Sequence, residues 1–207
     1  METRIAVLSP TRRRKAKHLG IFPLPIKSAV LYVLFLMLGI AIYRFLPVRL
    51  SPHSCTLLCN FLQITRPSGI SFADVFHNLA VYIRPEIILL SLSFLFTYSY
   101  FCVFLHSLLL CYRSFVLGLA FGAAEELFRA GDLPFANFTV FICVQAMFSA
   151  LLIGYTSLSV SLSSHLRNLG RRQILSAFLR TVEHFVRLIL FIATLLVLYF
   201  LTYLIFA

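Results

Sequence analysis

The sequence predicts an all-α fold of the membrane kind: a polytopic helical bundle of about five transmembrane helices, with one short interfacial amphipathic helix. Three observations carry this. Hydrophobic residues make up 60% of the 207 and charged residues only 12%, too apolar a balance for a soluble globular domain. Mean hydropathy is +0.94. Apolar runs of bilayer-crossing length alternate with short basic or turn-forming segments, and irregular backbone cannot face lipid, so the runs must be helices. The net charge of +11 fits Lys and Arg beside anionic lipid at a membrane surface rather than a nucleic-acid partner.

The first element is a basic tail over residues 1–25. Its stretch TRRRKAKH, Thr11 to His18, sets five positive charges ahead of an apolar segment over 26–46, one span of roughly 20 residues. The positive-inside rule predicts a cytoplasmic amino terminus. The apolar region is longer than that of a cleavable signal peptide, and no A-x-A-like site follows it, so an uncleaved anchor is expected. Residues 47–85 read as an external loop punctuated by Pro47, Pro52, Pro67 and Gly69. Within it Ser71 is placed to cap a helix, and Phe72, Val75, Phe76 and Leu79 follow at helical spacing, the pattern of a helix lying on the membrane surface. Arg84, Pro85 and Glu86 should close the loop, with proline in the first turn of the next helix and Glu86 at its positive end.

From Ile87 to Ala124 the chain is apolar for 38 residues. A straight helix of that length would be about 57 Å long against a hydrocarbon core of about 30 Å. Two spans are therefore expected, over 87–105 and 106–124, with a tight turn between Tyr98 and Arg113 that no glycine or proline marks. A fourth span is expected over 138–162. A basic cytoplasmic loop over 163–187, with Arg167, Arg171, Arg172, Arg180 and Arg187, comes next, and a fifth span over 188–206 ends outside. Two spans between 87 and 124 are what bring this loop to the same side as the basic amino terminus.

The residues with chemical potential are few. His106 and Arg113, seven apart and so on one helical face, are ionisable groups inside an apolar run, a costly placement that marks candidate positions for a substrate or ion path. Near a cytoplasmic turn, Arg113 would instead snorkel to headgroups. Gly118 and Gly122 form G-x-x-x-G, extended by Ala123 and Ala124, a small surface suited to close helix packing. Glu125, Glu126 and Arg129 resemble the E-E-x-x-x-R element of the intramembrane CAAX-type proteases, but the spacing is one residue short and turns Arg129 by about 100° on the helix. HLRN, His165 to Asn168, is likewise one short of H-x-x-x-N. Ser157, Ser159, Ser161 and Ser163 suit helix–helix hydrogen bonding. His53, Cys55 and Cys59 offer metal ligands or a disulfide, without a fourth ligand of matching spacing. Cys102, Cys111 and Cys143 lie in apolar runs as small hydrophobes. No nucleophile with its base, no phosphate-binding glycine loop and no metal quartet is visible, so a non-enzyme without cofactor is expected.

SFADVFHNLAVYI, then LLLCYRSFVLGLAFG, then LLIGYTSLSVSLSS with a basic segment after it, in that order behind a basic start and one span, resembles the stage II sporulation protein M family over roughly Ile26 to Phe206. Where family members place a small residue directly after the polar position of the third span, this chain has Ser114 after Arg113, with Gly118 and Gly122 later. The resemblance implies a membrane scaffold in the plasma membrane of a sporulating bacterium, anchoring or recruiting cell-wall hydrolases that remodel peptidoglycan during engulfment, with the chemistry left to those partners. The lipid bilayer, such hydrolases and further copies of the chain in a homo-oligomer are the expected partners. A small transporter or permease subunit is the alternative, and an intramembrane protease a further one. A transporter should show an internal repeat or paired interrupted helices, and neither is visible.

Overall fold

The computed structural model describes residues 24–45, 58, 72–168 and 174–206. Among the described residues five long helices occur, α1 (Leu24–Phe45), α2 (Phe72–Phe96), α3 (Cys102–Ala130), α4 (Phe135–Asn168) and α5 (Ile174–Phe206), and no strand. Four segments, Ile26–Phe45, Cys102–Ala130, Phe135–Arg167 and Leu175–Thr202, are long and apolar enough to cross a membrane. This is the build of a multi-pass membrane protein.

A bundle in lipid shows its apolar side chains outward as well as inward, because the solvent is itself hydrocarbon. Val33, Leu34 and Met37 on α1 and Ile189, Leu190 and Val197 on α5 are accordingly exposed. The inward face of α4 is a stripe at three- and four-residue spacing, Phe141, Val144, Phe148, Leu152 and Tyr155, buried to 3% exposure or less. Leu110, Leu117 and Ala120 of α3, Leu90 of α2 and Leu195 and Tyr199 of α5 join it in one core. α1 lies along α3, and α5 packs on α2 and α4.

The turn between the second and third helices occupies 97–101. It needs neither glycine nor proline because α2 ends by tightening: the amides of Thr97, Tyr98 and Ser99 donate to the carbonyls of Phe94, Leu95 and Phe96, three residues back, at 3.1–3.2 Å. The carbonyls of Ser99 and Tyr100 are taken by Arg167 Nη2 of α4, at 3.0 and 2.6 Å, and its guanidinium lies 5.3 Å from the Tyr100 ring centroid. Arg167, read from the sequence as part of a loop, thus fastens the hairpin.

The far end of α3 closes on Gly131 at φ +84°. Gly131 N–H donates to Phe128 O and Asp132 N–H to Leu127 O, at 3.2 and 3.0 Å, the Schellman arrangement whose left-handed residue favours glycine. A Cβ there would touch nothing within 4 Å, so Gly131→Ala is expected to cost about 1–2 kcal/mol through backbone conformation alone. Thermal unfolding in detergent checks this, and an unchanged midpoint would reject it.

Several boundaries differ from the sequence reading. The interfacial helix expected ahead of Pro85 and the span expected over 87–105 are one continuous helix, α2, with Pro85 inside it. Membrane helices tolerate an internal proline where neighbours satisfy the freed backbone. Glu86 is therefore not at a helix start but mid-helix and 1% exposed. The span expected over 106–124 runs from Cys102 to Ala130. Most of the basic loop expected over 163–187 is helix: α4 continues to Asn168 and α5 begins at Ile174. With 34 and 33 residues, these helices are each about 50 Å long, so both outrun a hydrocarbon core of about 30 Å. Arginine counting locates the side of a membrane but carries no information on whether the segment is coiled. His53, Cys55, Cys59, Arg171 and Arg172 lie outside the described residues.

Candidate functional site

Two clusters of polar side chains lie in the bundle interior. The first is centred on Arg113, eleven residues into α3 and hence about 17 Å from its start. Arg113 Nη2 donates to Glu86 Oε1 of α2 and to Gln145 Oε1 of α4, both at 2.6 Å. Its guanidinium lies 5.1 Å from the Phe148 ring centroid. The side chains of the ion pair are 3% and 2% exposed. One turn along α4 from Gln145, Ser149 Oγ donates to Gln145 O at 2.6 Å. That donation uses the only hydroxyl proton of Ser149, so in the 2.8 Å contact between Tyr32 OH and Ser149 Oγ the tyrosine of α1 is the donor. Four helices are thus joined through Tyr32, Glu86, Arg113, Gln145 and Ser149.

Such a pair is neutral as a unit and costly to split, since either charge alone in low dielectric would lose its compensation. Arg113 does not reach for headgroups as the sequence suggested. It sits too far along α3, and its partner is carried to it by the uninterrupted α2. Glu86 Oε2 has no hydrogen-bond partner among the described residues.

The second cluster was not foreseen. His184, in what the sequence suggested was a loop, is 3% exposed. Its ring is stacked between Tyr155 of α4, at 5.1 Å and 4°, and Phe94 of α2, at 5.4 Å and 16°. Nε2 lies 3.3 Å from Tyr155 OH, 3.3 Å from Ser159 Oγ and 3.4 Å from Thr97 Oγ1. The cluster ties α5 to the bundle where α2 ends. Each ring stack is worth about 0.5–1.5 kcal/mol, so His184→Ala is expected to destabilise by about 1–3 kcal/mol, whereas His184→Phe, which keeps the stacks, should recover part of the loss. Thermal midpoints of the two variants check this, and equal midpoints would remove the stacking account.

The residues singled out from the sequence are distributed as follows. His106 Nδ1 donates to Cys102 O of its own helix at 2.7 Å, and the ring packs edge-on to Phe96 of α2. It is buried on the same helix as Arg113. Gly118 and Gly122 face α1. A Cβ on Gly118 would meet Leu36 O and come 2.9 Å from Gly39 Cα, and one on Gly122 would come 2.5 Å from the Tyr43 ring. Ala123 is 2% exposed in the core. Of the serine series, Ser159 reaches His184, whereas Ser157 bonds back to Ile153 O of its own helix.

Glu125 and Glu126 pin the other end of the α1–α3 contact. Glu125 accepts from Arg44 Nη2 at 2.5 Å and from Arg129 Nη2 at 2.6 Å, and Tyr43 OH donates to Glu126. Among the described residues no group of three or more His, Cys, Asp or Glu could hold a metal.

One signal for the Arg113 site was present in the sequence. Between 86 and 124 the chain holds one carboxylate, Glu86, and one guanidinium, Arg113, and opposite charges alone in an apolar stretch should pair. Gln145, a lone amide in its own apolar run, carried the same hint. His184 carried none, because its neighbours Glu183 and Arg187 read as solvated loop. Comparison of the chain with family models, with curated proteins and with solved structures returns no match.

Proposed function

We propose that the chain is a non-catalytic scaffold of the bacterial plasma membrane, anchoring or recruiting peptidoglycan-remodelling proteins in the manner that its resemblance to the stage II sporulation M family implies. The observation that carries this reading is that the polar and charged side chains between helices, buried or at the surface, are engaged with one another. Arg113, Glu86 and Gln145 engage one another across three helices at 2.6 Å, and Glu125 is held by Arg44 and Arg129. Groups engaged in this way fix the relative positions of helices, which is what a platform for partners requires. In this reading the basic amino terminus and the arginines of the α4–α5 connection face the cytoplasm, and the partners bind from the cytoplasmic or outer ends of the bundle.

Affinity purification of the full chain from its native membrane, followed by identification of the proteins retained, tests this. Recovery of wall hydrolases is expected. Recovery of a nucleotide-binding subunit instead would establish the transporter alternative. Replacement of Glu125 and Glu126 together by Gln keeps oxygens that can accept from Arg44, Arg129 and Tyr43 and should leave partner recovery unchanged, and loss of function with normal protein level and normal partner recovery would revive the intramembrane-protease reading.

A further inference from the structure

The first turns of α1 and α3 and the later part of α4 enclose a pocket of about 320 Å³, at the lower end of the roughly 300–1,000 Å³ typical of small-ligand sites. Its wall is mostly apolar, with Leu31, Val103, Leu110 and Val160, and its polar groups include Lys27 and His106. Among the described residues no carboxylate contributes to it. Lys27 is exposed and takes part in none of the four ion pairs formed among the described residues. Of its apolar wall residues Val103 is the most exposed, at 57%. Ser107 Oγ and Thr156 Oγ1 donate to carbonyls of their own helices, so Lys27 supplies the charge that the pocket offers.

We infer that this pocket binds one anionic phospholipid, with its phosphate at Lys27 and the upper part of one acyl chain against Leu31, Val103 and Val160. An exposed cation without a carboxylate partner among the described residues, lining a mostly apolar pocket of an apolar bundle, complements an amphiphile that carries negative charge at one end and hydrocarbon at the other. A zwitterionic lipid offers the same chains without net charge, so the site discriminates by the headgroup. The volume holds a headgroup and the start of a chain, and the remainder of the lipid stays in the bilayer. This inference is independent of the scaffold reading, since it concerns which lipid the bundle retains and not which proteins it recruits.

Native mass spectrometry of the detergent-purified full chain, incubated with phosphatidylglycerol or phosphatidylcholine, tests it. The wild type should retain one phosphatidylglycerol in preference to phosphatidylcholine. Lys27→Gln should weaken that retention about fivefold, the effect of one basic residue at a membrane surface, and Lys27→Arg should keep it. Val103→Trp, which fills the pocket, should lower retention of both lipids, and if it fails to fold, the Lys27 pair carries the test. Equal retention of the two lipids, or an unchanged value for Lys27→Gln, overturns the proposal. So does displacement of the bound lipid by millimolar glycerol phosphate, which would mark a site for soluble phosphate. Unchanged lipid retention in Val103→Trp together with loss of a co-purifying protein would also overturn it, by making the pocket a helix-docking surface.

Discussion

Arg113→Leu is expected to lower stability by about 3–5 kcal/mol, because it leaves Glu86 as a buried carboxylate without its cation. The carboxylate side chain is 2% exposed, too little for solvent to replace the cation, and Gln145 loses the donation from Arg113 Nη2. Glu86→Leu should cost a similar amount by stranding the guanidinium. The double variant Glu86→Leu/Arg113→Leu removes both charges, and replacing a buried ion pair by apolar residues of similar size is often neutral or stabilising. It should therefore recover most of the loss. Thermal unfolding in a mild detergent, run as a double-mutant cycle, reads the coupling directly. Additive losses in the double variant would mean that the two residues do not depend on each other, and the joining of α2, α3 and α4 would have to be sought elsewhere.

The second large effect concerns Gly118. The atoms a Cβ would meet there, Leu36 O and Gly39 Cα, belong to the backbone of α1, so no rotamer change relieves the clash and the helices must separate. Gly118→Ala is expected to cost about 1–3 kcal/mol as overpacking, and Gly118→Leu more. Gly39→Ala should behave alike, since its Cβ would meet Phe115 O and Gly118 Cα. Gly122→Ala should be milder, because a side chain, Tyr43, can move away. Gly154→Ala meets nothing within 4 Å and is the control expected to be neutral. Monodisperse yield after purification, with thermal midpoints, ranks the four. Gly118→Ala behaving like Gly154→Ala would show that α1 and α3 are not packed through this contact.

Much of the architecture was legible in advance. A chain this apolar has one route to satisfying its backbone in lipid, so the helical class followed from composition. The arithmetic of 38 apolar residues against a bilayer required a break, and it lies at 97–101. The glycine face of α3 could be read from spacing, but its partner could not, because Gly39 stands alone in α1 as LMLGIAIY and carries no repeat. The continuity of α2 through Pro85 contradicted local propensity, since proline reads as a boundary when only neighbours in sequence are considered.

The sequence by itself determined quantities that add up along the chain: hydrophobicity, which requires membrane helices, and the placing of basic segments between apolar runs. The tertiary structure decided the contacts between residues far apart in the chain. Tyr32 and Ser149 are 117 positions apart and Arg113 and Gln145 are 32 apart. His184 became a core residue only because α5 brings it between Phe94 and Tyr155. The physical reason is that burial of a polar group in lipid is unfavourable alone and acceptable once its partner is present. Whether the partner is present depends on the rotation and depth of each helix, which no local pattern in the chain specifies.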